Sequence, residues 1–202
     1  MSFQAAIQPF SQGDGFCEFP VDQRELVKSV KNEIKSCNGS SYIGQETGQC
    51  LSRIRIEKAN FLSDLQEYAA SVDKDSIEEI YKGNQQTRFN HLIEIRNNIG
   101  IYLPVFFFFP LRIAVKQSSL PVFVGSLDKL YQELQEINLH LNAYEEVSLG
   151  TIDDNFHASE EDLEDYEADN DGIQHFWPIF NYVVLEILVQ KSLKAKLPLF
   201  VY

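Results

Sequence analysis

The stretch from Phe176 to Gln190 constrains the fold more than any other part of the chain. Between Ile179 and Val189, nine of eleven residues are apolar, and only Asn181 and Glu186 interrupt them. The run exceeds the roughly five or six residues of an ordinary strand. Pro178 is tolerable in a first helical turn, where its missing N–H has no intrahelical partner to lose. A helix that is apolar on every side has no face to give to water, so it must lie centrally with other elements around it.

The rest of the chain supplies that cover. Asp22 and Glu25 have capping-box spacing ahead of Leu26, Val27, Val30 and Ile34, which predicts a helix ending near Gly39. From Leu51 the positions Leu51, Ile54, Lys58, Phe61, Leu65, Tyr68 and Val72 follow three- and four-residue steps and predict a long amphipathic helix. The competing reading is a strand over Arg53–Glu57, where Ile54 and Ile56 alternate with charge. Ser76 and Glu79 open a short helix that stops at Gly83. Phe89, Leu92, Ile93 and Ile99 mark another, with Gly100 suited to the left-handed position after its end.

Beyond residue 100 the texture changes. Ile101–Phe109, Leu111–Val115 and Pro121–Val124 are β-branched and aromatic runs bounded by Pro, Ser and Gly, and they read as strands. Four consecutive Phe, Phe106 to Phe109, imply apolar cover on both faces of the first. Pro104 and Pro110 withhold ladder donors and belong at strand ends, a bulge or an edge. Ser126 caps a helix whose stripe is Leu127, Leu130, Tyr131, Leu134, Ile137 and Leu141, and Leu197–Tyr202 reads as a final strand inserted in the sheet. The expected architecture is one α+β domain over residues 1–202. Its mostly helical first half packs on a mixed sheet of about four strands, with the apolar C-terminal helix buried.

Charge is the second organising feature. The net charge is −13, yet residues 153–171 hold ten carboxylates and no Lys or Arg, so the remaining sequence is close to neutral. Residues 151–172 therefore read as an exposed acidic loop, within which Ser159 and Asp162 have the spacing to cap a short helix. Such a surface repels phosphate backbones, and no basic stripe offsets it, which disfavours nucleic acid as a partner. Cys17, Cys37 and Cys50 form no CxxC pair, the N-terminus lacks a secretory pattern, and Ile99–Val115 falls short of the ~20 residues a membrane helix needs. These features point to a cytoplasmic protein without membrane association.

Chemical motifs are sparse. Glu167, Asp169, Asp171 and Gly172 match positions 1, 3, 5 and 6 of a calcium-binding EF-hand loop, but Pro178 stands where a bidentate Glu is required. No HExxH or GxSxG is present, and Gly125-Ser126 lacks the repeated glycines of a phosphate loop. The sequence assigns no catalytic residue, no metal ligand and no cofactor. Its strongest functional pointer is an acidic face carrying Glu160, Glu161, Asp162, Glu164, Asp165, Tyr166 and Glu167, suited to a basic protein partner in the manner of inhibitor or immunity proteins. The alternative is a hydrolase or small-ligand-binding protein whose site gathers residues distant in sequence. Exposed strand edges also give a route to a homodimer.

Overall fold

The computed structural model describes residues 2–9, 23–38, 50–95, 100–114, 121–143 and 152–202. In chain order these form β1 (Phe3–Ile7), α1 (Gln23–Asn38), β2 (Ser52–Ile56), α2 (Ser63–Val72), α3 (Ile77–Tyr81), α4 (Asn90–Ile93), β3 (Gly100–Leu103), β4 (Leu111–Ile113), β5 (Val122–Ser126), α5 (Leu127–Leu141), β6 (His157–Ala158), α6 (Glu160–Asp169), α7 (Phe176–Ala195) and β7 (Leu199–Val201). The strands make one mixed sheet in the order β4-β5-β3-β7-β1-β2-β6. β3 and β5 run parallel, as do β2 and β6, and the other neighbours are antiparallel.

Two apolar layers sandwich this sheet. On one face Phe3, Ala5, Ile7, Ile54, Ile56, Tyr102, Phe123, Leu199 and Val201 pack beneath α2, α5 and α7. On the other, Ile101, Leu103, Val122, Val124 and Phe200 meet Leu26, Val30 and Ile34 of α1. The alternation within β3, β5 and β7 thus serves two cores, which is why those strands are apolar throughout apart from Gly100, Gly125 and the capping Ser126. The helix α7 is buried along most of its length, from Phe176 to Ser192. Its two polar interruptions are partly satisfied: the Asn181 side chain donates to the Phe61 carbonyl, and Glu186 Oε1 accepts from Gln135 at 2.8 Å and Gln190 at 3.0 Å, while Asn181 Oδ1 and Glu186 Oε2 are buried without a hydrogen bond among the described residues.

Several expectations are corrected. The sheet has seven strands among the described residues, against about four expected, and the first half is less helical because β1 and β2 lie within it. At Leu51–Val72 the strand alternative prevails for Ser52–Ile56, and the helix begins only at Ser63. Ile54 and Ile56 point into the main core while Arg53 and Arg55 take the opposite face, a period-two pattern that the longer helical register concealed. Asn60, at φ 53°, marks the break between the two elements. The helix after Phe89 is only four residues long, and Gly100 opens a strand instead of closing a helix. A Cβ there would lie 2.9 Å from both Ile95 and Phe123, so close packing selects this glycine.

The Phe run is also reassigned. Residues 104–110 form a loop between β3 and β4, and only Phe107 is buried. Residues 10–22, 39–49, 96–99, 115–120 and 144–151 lie outside the described residues, and with them the Asp22 cap, the Gly39 stop, Cys17, Ile99 and Val115. Other readings hold. Ser76 and Ser126 cap α3 and α5, accepting from the N–H of Glu79 and Lys129 at 3.3 Å each. β7 occupies the middle of the sheet, as a final inserted strand should.

Candidate functional site

The acidic segment is ordered as a helix where the sequence suggested mainly a loop. Ser159 at the N-cap accepts from the Asp162 N–H at 3.2 Å, and the Asp162 carboxylate accepts from the Ser159 N–H at 2.8 Å and its hydroxyl at 2.7 Å. This reciprocal box satisfies two helix-start donors and places negative charge against the positive end of the helix dipole. The same Ser159 contacts hold the Asp162 carboxyl below its usual range. Leu163, buried, and Tyr166, whose ring lies 6.0 Å from Phe180, pin the helix to the main core. Seven of the ten residues of α6 are carboxylates, and none makes an ion pair among the described residues.

The structure sorts the sequence-predicted residues into two groups. Glu160, Glu161, Glu164 and Asp165 are exposed and carry no anchoring bond among the described residues. Asp162, Tyr166 and Glu167 hold the element in place: Asp162 through the cap, Tyr166 through packing, and Glu167 by accepting from the Trp177 indole N–H at 3.0 Å. The Trp177 ring face is itself covered by the Lys58 ammonium, 3.2 Å from its centroid, and Lys58 is paired with Asp64 at 2.7 Å. The aromatics of this region are therefore anchors, and the outward surface is charge. Of the flanking acids, Asp154 pairs with Lys191 at 2.7 Å.

The calcium reading does not survive. Glu167 and Asp169 lie within α6, so they cannot wrap an ion as a loop, and no cluster of three potential metal ligands occurs among the described residues.

A second polar centre was not visible in the sequence. His91 in α4 accepts at Nδ1 from the Ser126 N–H at 3.0 Å and donates from Nε2 to the Phe108 carbonyl at 3.1 Å. A backbone N–H can only donate and a carbonyl only accept, so these partners fix the neutral Nε2–H tautomer. Burial pushes the imidazole down to about 4, against the pull of the Phe108 carbonyl. Glu133 of α5 accepts from the N–H groups of His91 at 3.0 Å and Leu92 at 2.9 Å, capping α4 from across the structure. Burial lifts its carboxyl to about 8, opposed by those two N–H bonds. The Tyr102 hydroxyl donates to the His91 carbonyl at 2.7 Å, and burial raises it well above its ordinary value. All of these partners are backbone atoms, so the arrangement ties α4, β3, β5 and α5 together.

An open cleft of about 570 Å³ lies beside this knot, lined by Tyr81, Gln85, Gln86, Asn90, Glu94 and Arg112 among others. Its described walls carry amides and the Arg112–Glu94 ion pair, at 3.3 Å, with no His, Cys, Ser or Thr. No described helix is long and apolar enough to cross a membrane. Comparison with protein-family models, curated proteins and solved structures finds no match for this chain.

Proposed function

We propose that this chain is a non-enzymatic interaction module whose acidic helix, α6, captures a basic surface on a partner protein. The observation that carries this reading is the state of its carboxylates. Seven lie in ten residues without an ion pair among the described residues, on a helix fixed by its own cap and by Leu163 and Tyr166. A fixed array of like charge raises local potential, which speeds encounter with a cationic surface more than it deepens affinity. Keeping such charges together costs stability through mutual repulsion, and the first-turn acids Glu160, Glu161 and Asp162 recover part of that through the helix dipole.

The test uses a variant that removes charge without touching the anchors: Glu160→Gln, Glu161→Gln, Glu164→Gln and Asp165→Asn together. Asp162 and Glu167 stay, since their bonds support folding. With a Lys/Arg-rich peptide as probe, the variant is expected to bind at least tenfold more weakly at low salt, with a flatter salt dependence and an unchanged circular dichroism spectrum. Equal affinity of the two proteins for the probe across the salt range would sink the proposal.

A further inference from the structure

We propose that the loop Pro104–Pro110 is a rigid docking platform for a short peptide segment that carries a carboxylate among apolar side chains. This surface is independent of the acidic helix. Phe106, Phe108 and Phe109 are 44%, 67% and 72% exposed, whereas Phe107 is buried. Large aromatic side chains normally face inward, and a cluster of them held at the surface is the informative exception.

The exposure belongs to a fastened loop. Phe107 packs against the His91 ring at 5.7 Å, and the His91 Nε2–H bond to the Phe108 carbonyl, at 3.1 Å, ties the backbone down at its centre. The Phe106 and Phe108 rings meet edge to face at 5.0 Å. A surface whose shape is set before binding loses little conformational freedom on docking.

Charge selects the occupant. The Lys129 ammonium lies 5.3 Å from the Phe106 centroid and 5.2 Å from that of Phe108, near both rings. Its hydrogen bond goes to the neutral Gln132 side chain at 3.1 Å, and no carboxylate pairs with it among the described residues. In a chain with 30 acidic and 17 basic residues, a lysine among aromatics that no carboxylate ion-pairs among the described residues, and that acts on Glu133 only through space, is complementary to an incoming carboxylate. The acidic helix does not oppose this. It packs by β6, and the aromatic loop lies at the β4–β5 side, five or six strand spacings away, or roughly 24–29 Å, about three times the ~8 Å screening length in physiological salt.

Area limits the occupant to something small. At about 200 Å² per phenylalanine, the exposed phenyl surface comes to roughly 350 Å². Stable dimers and globular partners need about 800 Å² from each side, so a peptide fits the patch better than a second copy of this chain. An anionic membrane or a nucleic acid strand would meet one lysine on a protein of net charge −13.

Fluorescence anisotropy with a short synthetic peptide carrying one Glu among Leu and Phe tests the proposal, alongside a counterpart with Gln in place of that Glu. The acidic peptide is expected to bind at least threefold more tightly than the neutral one. The double substitution Phe108→Ala and Phe109→Ala should weaken it at least tenfold. Lys129→Gln should weaken it at least threefold and flatten its salt dependence. Glu164→Gln with Asp165→Asn on the far edge should leave it unchanged, which separates this surface from the acidic helix. All these side chains are exposed or half-buried, and a circular dichroism melt verifies that the variants fold. No binding of the acidic peptide, equal binding of both peptides, or indifference to the Phe pair overturns the proposal. So does a dimer in sedimentation, or binding to anionic vesicles or single-stranded RNA, that the Phe pair abolishes.

Discussion

At the scale of single residues, the unusual chemistry of this protein sits at Glu133 and His91, and their protonation has opposite consequences. Glu133 titrates near 8 when folded against 4.5 in its unperturbed state, so the folded chain holds the extra proton between those values and stability falls as pH rises through them. His91 titrates near 4 against 6.5, so the unfolded chain holds the extra proton there and stability rises with pH across that window. The two slopes oppose each other up to pH 6.5, above which, of this pair, Glu133 alone still contributes. The urea midpoint is therefore expected to fall between pH 6.5 and 8, at a limiting slope of about 1.4 kcal/mol per pH unit for one proton. In Glu133→Gln that fall should shrink, because the carboxamide does not titrate. Its NH₂ would also face one of the two backbone N–H donors, costing about 1–3 kcal/mol near pH 6.5. An unchanged pH profile in the variant would refute the assignment. Neither residue announces itself in sequence: Glu133 and His91 are 42 positions apart, and both of their elements read as ordinary amphipathic segments.

At the scale of elements, legibility followed periodicity and capping. Helices α1, α5 and α7 were readable because each presents an uninterrupted apolar pattern, with Ser126 marking the start of α5. The acidic helix was half readable: Ser159 and Asp162 had the spacing of a cap, but carboxylate density argued for a solvated loop. Local hydrogen bonds and the apolar pins Leu163 and Tyr166 decided in favour of helix. Ser159→Ala is expected to cost about 1 kcal/mol in that element and to speed amide exchange in residues 160–164 while leaving α7 unaffected. Uniform exchange across both helices would contradict a local role for the cap. The Phe loop was misread because four aromatic residues mimic a doubly covered strand. Pro104 and Pro110 at its ends carried the contrary signal, since both exclude ladder bonding at the boundaries of that run.

At the scale of the whole molecule, the mixed sheet and the central helix were legible, whereas the number and order of strands were not. Strand order depends on pairings between distant segments, such as Ala5 with Val201 and Gly100 with Val201, which no local pattern encodes. β7 is the element that joins the molecule, since β1-β2-β6 lie on one side of it and β3-β5-β4 on the other. Removing residues 197–202 is expected to abolish cooperative unfolding in a urea titration, whereas alanine at the exposed edge position Arg112 should shift the midpoint only slightly. A truncated chain that still unfolds in one sharp transition would show that the two halves do not need their linking strand. Without residues 199–201, β1 and β3 would each present an unpaired edge, the kind of template on which a second chain can add a strand.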